Sequence, residues 1–218
     1  MVDYSGLNVL FVGDLNPYSK GFTRLEAFRA LGVRVEAFSH TPAGDPATGY
    51  VPLTLPVRIA WKLGFQPDTE GANGWLLRAA AKSRPDLIWI EKGNMVGPSV
   101  LRRLKALCPA AVIASYSDDD MVNWINRTWS YRFGLKHYDV VFTTKSYNAR
   151  PDELPAMGAR RVVMVDKAYD PAHHRPLALS PEEKAWLCCD VGFIGSFERP
   201  RANDMRYLAR SGIPVRAR

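Results

Sequence analysis

The sequence predicts an α/β fold: a Rossmann-like parallel sheet with helices on both faces, followed by an incomplete second Rossmann-like unit. Short apolar runs, such as residues 7–12, end at glycine or polar residues, which is typical of buried parallel strands. Amphipathic segments separate these runs, so that strand, helix and strand repeat along the chain. The periodicity lapses after residue 166 and resumes near residue 188.

The first strand–helix–strand unit is the clearest. The run 7–12 ends at Gly13, and apolar residues then recur at helical spacing over 22–31 before an alternating strand at 33–38. The same reasoning predicts further strands at 86–90, 110–116, 139–144 and 161–165. Further helices are predicted at 57–65, 72–83, 98–107 and 121–135, with a proline-broken helix at 147–157.

Three segments follow from this pattern: an N-terminal Rossmann-like domain at 1–166, a linker at 167–187, and the start of a second domain at 188–218. The last segment holds a strand at 190–195, a helix at 201–211 and the beginning of another strand. One such unit cannot bury both faces of its own strands. We therefore expect 188–218 to open a truncated nucleotide-binding domain.

Composition excludes several classes of protein. The chain has 218 residues, a net charge of +7 and no apolar run long enough to span a membrane. No signal peptide is recognisable, which favours a cytoplasmic protein. Neither Cys108 nor the adjacent pair Cys188 and Cys189 suggests a metal site or an ordinary disulfide. Six arginines against one aspartate in 199–218 account for most of the charge, and no DNA-binding motif accompanies them, so no nucleic-acid partner is expected.

The loop 13–21 follows the first strand, at the edge where open α/β sheets bind ligands. It is neither a P-loop nor a GxGxxG turn, which argues against ATP hydrolysis and simple dinucleotide binding. Its candidate substrate-binding residues are Gly13, Asn16, Ser19 and Lys20. The alternative is an ordinary loop in which Asn16 and Ser19 are turn and cap residues.

The run Asp118, Asp119 and Asp120 follows the strand 110–116 and supplies the candidate catalytic residues. Such acids can act as a base, hold sugar hydroxyls or ligate a cation. Adjacent side chains diverge, so the three are not expected to share one metal ion, and one of them should cap the following helix.

Three further candidates for substrate binding follow the neighbouring strands: Lys92, Asn94 and Lys145. Lys145 could meet the acids of the adjacent loop. The alternative for Lys92 and Asn94 is a structural ion pair beside a glycine turn.

Two other segments are candidates for binding a ligand or a lipid surface. Gly195, Ser196 and Arg199 form a glycine turn that leads into a helix, an arrangement that suits a diphosphate. The segment 50–65 places Arg58 and Lys62 one turn apart among apolar residues. It could touch anionic lipid or a hydrophobic acceptor, the alternative being a helix packed on the core.

Several of these stretches together resemble a known family. They are VLFVGDLNPYSKGFTRLEAFRALG, DLIWIEKGNMVGPSVLRRLK, YSDDD, DVVFTTKSYN and VGFIGSFERPRANDMRYLARSGIPV, which are similar to the spore-maturation (CgeB-like) glycosyltransferases of the GT-B class. The resemblance implies two Rossmann-like domains facing across a cleft, the first binding an acceptor and the second a nucleotide sugar.

The resemblance also implies a function and roles by position. We expect a hexosyltransferase-like enzyme that needs no metal and no cofactor besides its nucleotide-sugar substrate. Gly13, Asn16, Ser19, Lys92 and the Asp118–Asp120 run would line the acceptor side, and Gly195 and Ser196 would begin the donor site. The resemblance further implies that most of the donor domain, including its acidic ribose contact, lies outside these 218 residues. The alternative is therefore a non-catalytic sugar- or nucleotide-binding module, or a truncated remnant of such an enzyme.

Overall fold

The structure is a computed structural model that describes residues 3–17, 19–45, 51–171, 174–195 and 197–217. The chain divides into two compact units, Met1–Ala168 and Tyr169–Arg218. Every helix within the described ranges is too short or too polar to reach across a bilayer.

The first unit contains a sheet of six parallel strands in the order β2-β1-β3-β4-β5-β6. The strands are β1 (Asn8–Gly13), β2 (Arg34–Ser39), β3 (Leu87–Glu91), β4 (Val112–Ser117), β5 (Val140–Thr143) and β6 (Val162–Met164). This topology confirms the predicted Rossmann-like sheet. Because all strands run the same way, the loops after β1, β3, β4 and β5 meet at one edge, the carboxyl edge.

The helices of the first unit are α1 (Lys20–Ala30), α2 (Leu55–Lys62), α3 (Ala72–Ser83), α4 (Pro98–Leu107) and α5 (Trp129–Gly134). Local chemistry sets where α1 and α4 begin. The Ser19 side chain accepts a hydrogen bond from the Phe22 backbone N–H and so caps α1. Pro98 stands in the first turn of α4, where its missing N–H costs nothing.

Side chains alternate between the two faces of the sheet. Leu10 and Val12 of β1 join Leu76 of α3 and Leu101 of α4 in the main apolar core. The face towards α1 is aromatic instead. Trp89 of β3 lies 5.2 Å from Phe28 of α1, centroid to centroid, and stacks on Tyr116 of the neighbouring β4 and on Phe142 of β5. Helices therefore cover both faces, as predicted.

The predicted helix at 121–135 is wrong over its first half, because α5 begins only at Trp129. Residues 121–126 form bends and turns, and residues 127–128 are irregular. The Asp120 Oδ1 atom accepts hydrogen bonds from the backbone N–H groups of Val122 and Asn123, and the Asn123 side chain accepts one from Ile125. Such side-chain acceptors compete with helical backbone bonding. The proline-containing segment 147–157 likewise has only a 3₁₀ turn, Ser146–Ala149, followed by turns.

The second unit contains α6 (Pro181–Leu187), β7 (Val191–Phe193), α7 (Arg199–Arg210) and β8 (Val215–Ala217). Strands β7 and β8 are parallel and pair with each other. Helix α6 begins with a capping box in which Ser180 and Glu183 bond each other's backbone N–H groups. None of the described residues in this unit is buried.

Candidate functional site

Two ion pairs tie the acidic loop after β4 to its neighbours at the carboxyl edge. Lys20, at the start of α1, pairs with the Asp118 carboxylate. Lys92, after β3, approaches Asp119 with 2.5 Å between Nζ and Oδ2. Three loops that are distant in sequence thus meet at one cluster of alternating charge, the carboxylate cluster.

The charges of this cluster are coupled. Burial by itself would raise the pKa of Asp118, but the Lys20 hydrogen bond and the nearby Lys92 charge outweigh it and hold the pKa below its usual value. The same hydrogen bond raises the pKa of Lys20. Both groups are therefore charged at neutral pH. The side chain of Asp119 is 39% exposed against 16% for Asp118, so Asp119 is the more accessible carboxylate.

Asp120 has a different environment from its two neighbours. Its Oδ1 accepts backbone hydrogen bonds from the following turn and a bond of 2.9 Å from the buried amide of Asn148. Burial opposes ionisation, but these bonds outweigh it and lower the pKa of Asp120. The Asn148 Oδ1 atom in turn accepts from the Met121 N–H. Asp120 therefore holds the loop in place, and its predicted catalytic role stays a prediction.

Asn16 and Ser19 are engaged in shaping the first loop. The Asn16 amide donates to Asp14 Oδ1 at 2.8 Å and to the Pro42 carbonyl at 3.0 Å, and its oxygen accepts from the Gly44 N–H at 2.7 Å. The Ser19 hydroxyl donates to the Asp14 carbonyl at 2.6 Å. These are the turn and cap contacts of the alternative interpretation, and ligand contact by either residue stays a prediction.

Asn94 and Lys145 lie after β3 and β5 respectively. Asn94 is buried, donates to the Asn126 carbonyl at 3.0 Å and accepts from the Thr128 N–H at 3.2 Å, so it organises the stretch before α5. The positive charge of Lys145 contributes to the lowered pKa of Asp120. Lys145 is thus near enough to Asp120 to act on it electrostatically, and its contact with substrate stays a prediction.

The sequence did not predict the buried ion pair between Arg24 and Glu91, which lies close to the carboxyl edge of the sheet. Glu91, the last residue of β3, is 8% exposed and accepts from Arg24 Nη1 at 2.6 Å and from Trp89 Nε1 at 2.7 Å. The Arg24 guanidinium also lies 3.7 Å from the centre of the Tyr116 ring. Burial raises the pKa of Glu91, and Arg24 opposes that rise. An acid at the end of an apolar strand was the available signal.

Gly13 provides the space that this ion pair occupies. A Cβ atom at Gly13 would lie 2.8 Å from the Glu91 Cγ and 2.8 Å from the Phe11 ring. Both neighbours are buried and have little room to move. The structure thus gives Gly13 a packing role, while its predicted contact with substrate stays a prediction.

His40 lies at the end of β2, within the electrostatic reach of Asp14 and Lys92. Burial lowers its pKa, and the Asp14 charge opposes that effect only in part. The imidazole is therefore neutral at pH 7. Its Nδ1 lies 3.1 Å from the Thr41 hydroxyl.

The predicted donor residues lie in the second unit. Gly195 follows β7, and a Cβ there would lie 2.8 Å from the Phe193 ring. Arg199 is the first residue of α7, and Arg201, in the same first turn, pairs with Glu198 at 3.4 Å. Ser196 lies outside the described residues. Within the described ranges, no cluster of three or more His, Cys, Asp or Glu side chains is arranged to hold a metal ion.

Comparison with known proteins supports the fold. No protein-family model and no curated protein matches the sequence. The structure is similar to an alpha-glucosyltransferase solved with UDP-glucose and DNA containing an abasic site, at 12% identity and a TM-score of 0.54 over 94% of this chain. A second solved alpha-glucosyltransferase complex, with UDP and a 13-mer DNA containing a HMU base, is similar at 11% identity and the same TM-score.

The chain spans 54% of the length of these glucosyltransferase chains. A more distant likeness, with a TM-score of 0.47 and 12% identity, is to UGT89C1 of Arabidopsis thaliana complexed with UDP-L-rhamnose; it covers 95% of this chain and 64% of that one. The glucosyltransferase likeness shows that the chain has the Rossmann-like α/β fold of solved glycosyltransferases.

Proposed function

We propose that the chain carries the acceptor-side half of a GT-B glycosyltransferase, which moves a sugar from a nucleotide-sugar donor to an acceptor hydroxyl. The observation that carries the proposal is the carboxylate cluster, in which Asp118 and Asp119 are each paired with a lysine of a neighbouring loop at the carboxyl edge. A fold shared with a glucosyltransferase solved with UDP-glucose supports it. Within that class, the quoted motifs favour the CgeB-like group.

The two carboxylates suit different tasks in sugar transfer. The acceptor hydroxyl must be oriented, and it must lose its proton as it bonds to the anomeric carbon while the bond from that carbon to the diphosphate oxygen breaks and the nucleoside diphosphate leaves. Lys20 keeps the pKa of Asp118 low, so Asp118 accepts a hydrogen bond from a hydroxyl but takes up a proton poorly. We assign Asp118 to orientation of the acceptor. Asp119, more exposed and paired with Lys92, is assigned as the proton acceptor.

The donor side is assigned to the second unit. Gly195 precedes α7 in the sequence, and the N-terminal turn of α7 contains Arg199 and Arg201. Backbone N–H groups of a helix N-terminus together with arginines suit the diphosphate of a nucleotide sugar. The chain spans 54% of the glucosyltransferase chain, and we propose the complete reaction for a protein that carries both halves of the GT-B fold.

The test is a transfer assay with UDP-, GDP- and TDP-sugars and a mixed set of acceptors, read as release of nucleotide and, in parallel, as the thermal shift on donor binding. We expect Asp119→Asn to lower kcat by about 100-fold, since a positioned base contributes at least that factor, and to leave the melting temperature unchanged. The matched control is Asp152→Asn, an exposed acid paired with Arg150 at 3.6 Å. Adding duplex DNA as an acceptor tests the prediction that no nucleic acid takes part.

Each outcome has a definite meaning. Nucleotide release that depends on Asp119 supports the proposal. A thermal shift with one nucleotide sugar and no turnover with any acceptor would favour the binding module instead. Asp119→Asn turning over as fast as the wild type would remove the carboxylate cluster from the mechanism, and neither binding nor release with any donor would overturn the proposal.

A further inference from the structure

The helix α2 and the residues beside it form an apolar surface that the described parts of the fold leave uncovered. None of the residues of α2 is buried. We call the α2 face the set of exposed apolar side chains Leu53, Leu55, Ile59, Trp61, Leu63 and Phe65. Their exposure overturns the alternative that this segment is a helix packed on the core. Exposed apolar side chains that are grouped in this way mark a candidate contact surface.

The α2 face is attached to the body of the first unit at its C-terminal end. The Trp129 backbone N–H donates to the Gly64 carbonyl at 2.9 Å, and its indole N–H donates to the Leu63 carbonyl at 3.2 Å. A Cβ on Gly64 would lie 2.9 Å from that indole. Phe65 then lines an open apolar groove of about 430 Å³ with Pro98, Trp129 and Phe133. The face is therefore held in place while its outer side chains remain in solvent.

The charge of the segment narrows the choice of partner. Arg58 and Lys62 are the only charged residues in 51–67, both are exposed, and the segment contains no acid. They lie one turn apart on α2, and Trp61 directly precedes Lys62 in the sequence. Leucine, isoleucine and tryptophan beside a few cations are the composition of helices that lie in the interface of an anionic bilayer.

A second copy of the chain fits this surface less well. Pairing two identical faces about a two-fold axis brings the same residues of both copies together. Arg58 and Lys62 of each copy would then meet their own counterparts, with no acid in the segment to compensate them.

We propose that the α2 face rests on an anionic lipid surface, with its apolar side chains at the boundary between headgroups and acyl chains and with Arg58 and Lys62 at lipid phosphates. One short helix gives weak, reversible attachment. The inference is independent of the sugar-transfer proposal, because neither Asp118 nor Asp119 takes part in it.

The experiment is co-sedimentation of the protein with vesicles of phosphatidylcholine alone, and of phosphatidylcholine with about 30% phosphatidylglycerol, at low and high salt. We expect binding to the anionic vesicles that weakens with salt. The double variant Ile59→Ser, Trp61→Ser should lose at least about tenfold in bound fraction, because each change removes exposed apolar surface from the lipid. Unchanged melting temperatures would show that these exposed substitutions leave the fold intact.

A matched pair of charge variants separates a specific surface from general attraction of a basic protein. Arg58→Gln, Lys62→Gln should weaken binding to anionic vesicles several-fold. Arg206→Gln, Arg210→Gln removes the same charge at the same spacing from α7 and should have a much smaller effect.

Three results would overturn the proposal. One is no binding to anionic vesicles, and another is an equal loss in both charge pairs. The third is a dimer in analytical ultracentrifugation that the Ile59→Ser, Trp61→Ser variant converts to monomer without any vesicle binding, which would assign the α2 face to self-association.

Discussion

Strands β1 and β7 have similar sequence signatures and very different surroundings. Each is an apolar run that ends near a glycine and is followed along the chain by a helix. In β1, Phe11 is completely buried because β2 and β3 flank the strand and helices cover both faces. In β7, Phe193 is only partly buried, since β8 is its one partner within the described residues. The apolar pattern therefore determines the element, and the number of neighbours determines what the element buries.

The loops after these two strands differ in the same way. The loop after β1 leads to Lys20. The sheet places Lys20 beside Asp118, which follows β4 and is ninety-eight residues later in the chain. The loop after β7 has Ile194 and Phe197 more than 80% exposed. A strand–glycine–helix motif becomes a candidate site only where parallel neighbours bring other loops beside it.

The largest expected effect comes from separating the two units. Residues 169–218 expressed alone should show no cooperative thermal transition, because one βαβ unit buries too little apolar surface to offset its chain entropy. Residues 1–168 alone should unfold cooperatively. Near-ultraviolet circular dichroism with thermal melting measures both. A sigmoidal melt of the 169–218 fragment would contradict the comparison.

The next largest contrast is expected in the free energy of unfolding when an apolar side chain is truncated in each of the two sheets. Ile88→Ala in β3 removes a completely buried side chain and should lower the free energy of unfolding by about 4 kcal/mol. Val191→Ala in β7 removes a partly exposed one and should cost less than about 1 kcal/mol. Urea denaturation measures both, and equal costs would mean that β7 is as well packed as β3.

Loss of an ion pair should also cost more stability in the first unit than in the second. Arg24→Ala leaves Glu91 buried without its partner and should cost about 3 kcal/mol. Arg201→Ala removes an exposed pair with Glu198 and should cost less than about 1 kcal/mol. Chemical denaturation at pH 7 checks both.

The loss of stability caused by Arg24→Ala should depend on pH, in a direction set by the pKa of Glu91. Burial raises the folded-state pKa of Glu91 above its ordinary value of 4.5, so Glu91 favours folding most when it is protonated, below the unfolded pKa. That contribution is lost as the pH rises through the folded pKa. The penalty of Arg24→Ala should therefore shrink as the pH falls towards 4.5, and a penalty that grows on acidification would contradict the buried pair.

Glycine substitutions should give the smallest of these contrasts. Gly13→Ala places a Cβ against the buried Glu91 and Phe11 and should cost about 2 kcal/mol. In β7, Gly192→Ala meets only the exposed Cys189 sulfur, at 3.2 Å, and should cost less than about 0.5 kcal/mol. Differential scanning calorimetry of the two variants measures the contrast, and similar melting temperatures would show that the Gly13 site can relax.

Sequence reasoning predicted more of the fold than of the site. The order of strands and helices in both units followed from apolar runs and punctuating Gly and Pro, and the run 98–107 was predicted with its observed ends. The prediction of a helix over 121–128 is wrong because the side chains of Asp120 and Asn123 accept hydrogen bonds from local backbone N–H groups. These bonds compete with helical backbone bonding, and the spacing of apolar residues gives no sign of them. The sequence points to the Asp118–Asp120 run, but it does not indicate that Asp120 accepts a hydrogen bond from the Asn148 side chain.

By itself, the sequence determined which segments form strands and helices, that the sheet is parallel, and that charged residues follow its strands. Those properties are local, and they depend on side-chain periodicity and turn chemistry. Only the tertiary structure decided that Lys20 meets Asp118, that Glu91 is buried against Arg24, and that the described residues leave the α2 face uncovered. The reason is that pairing and burial depend on strand order and register, which bring together residues that are distant in the chain.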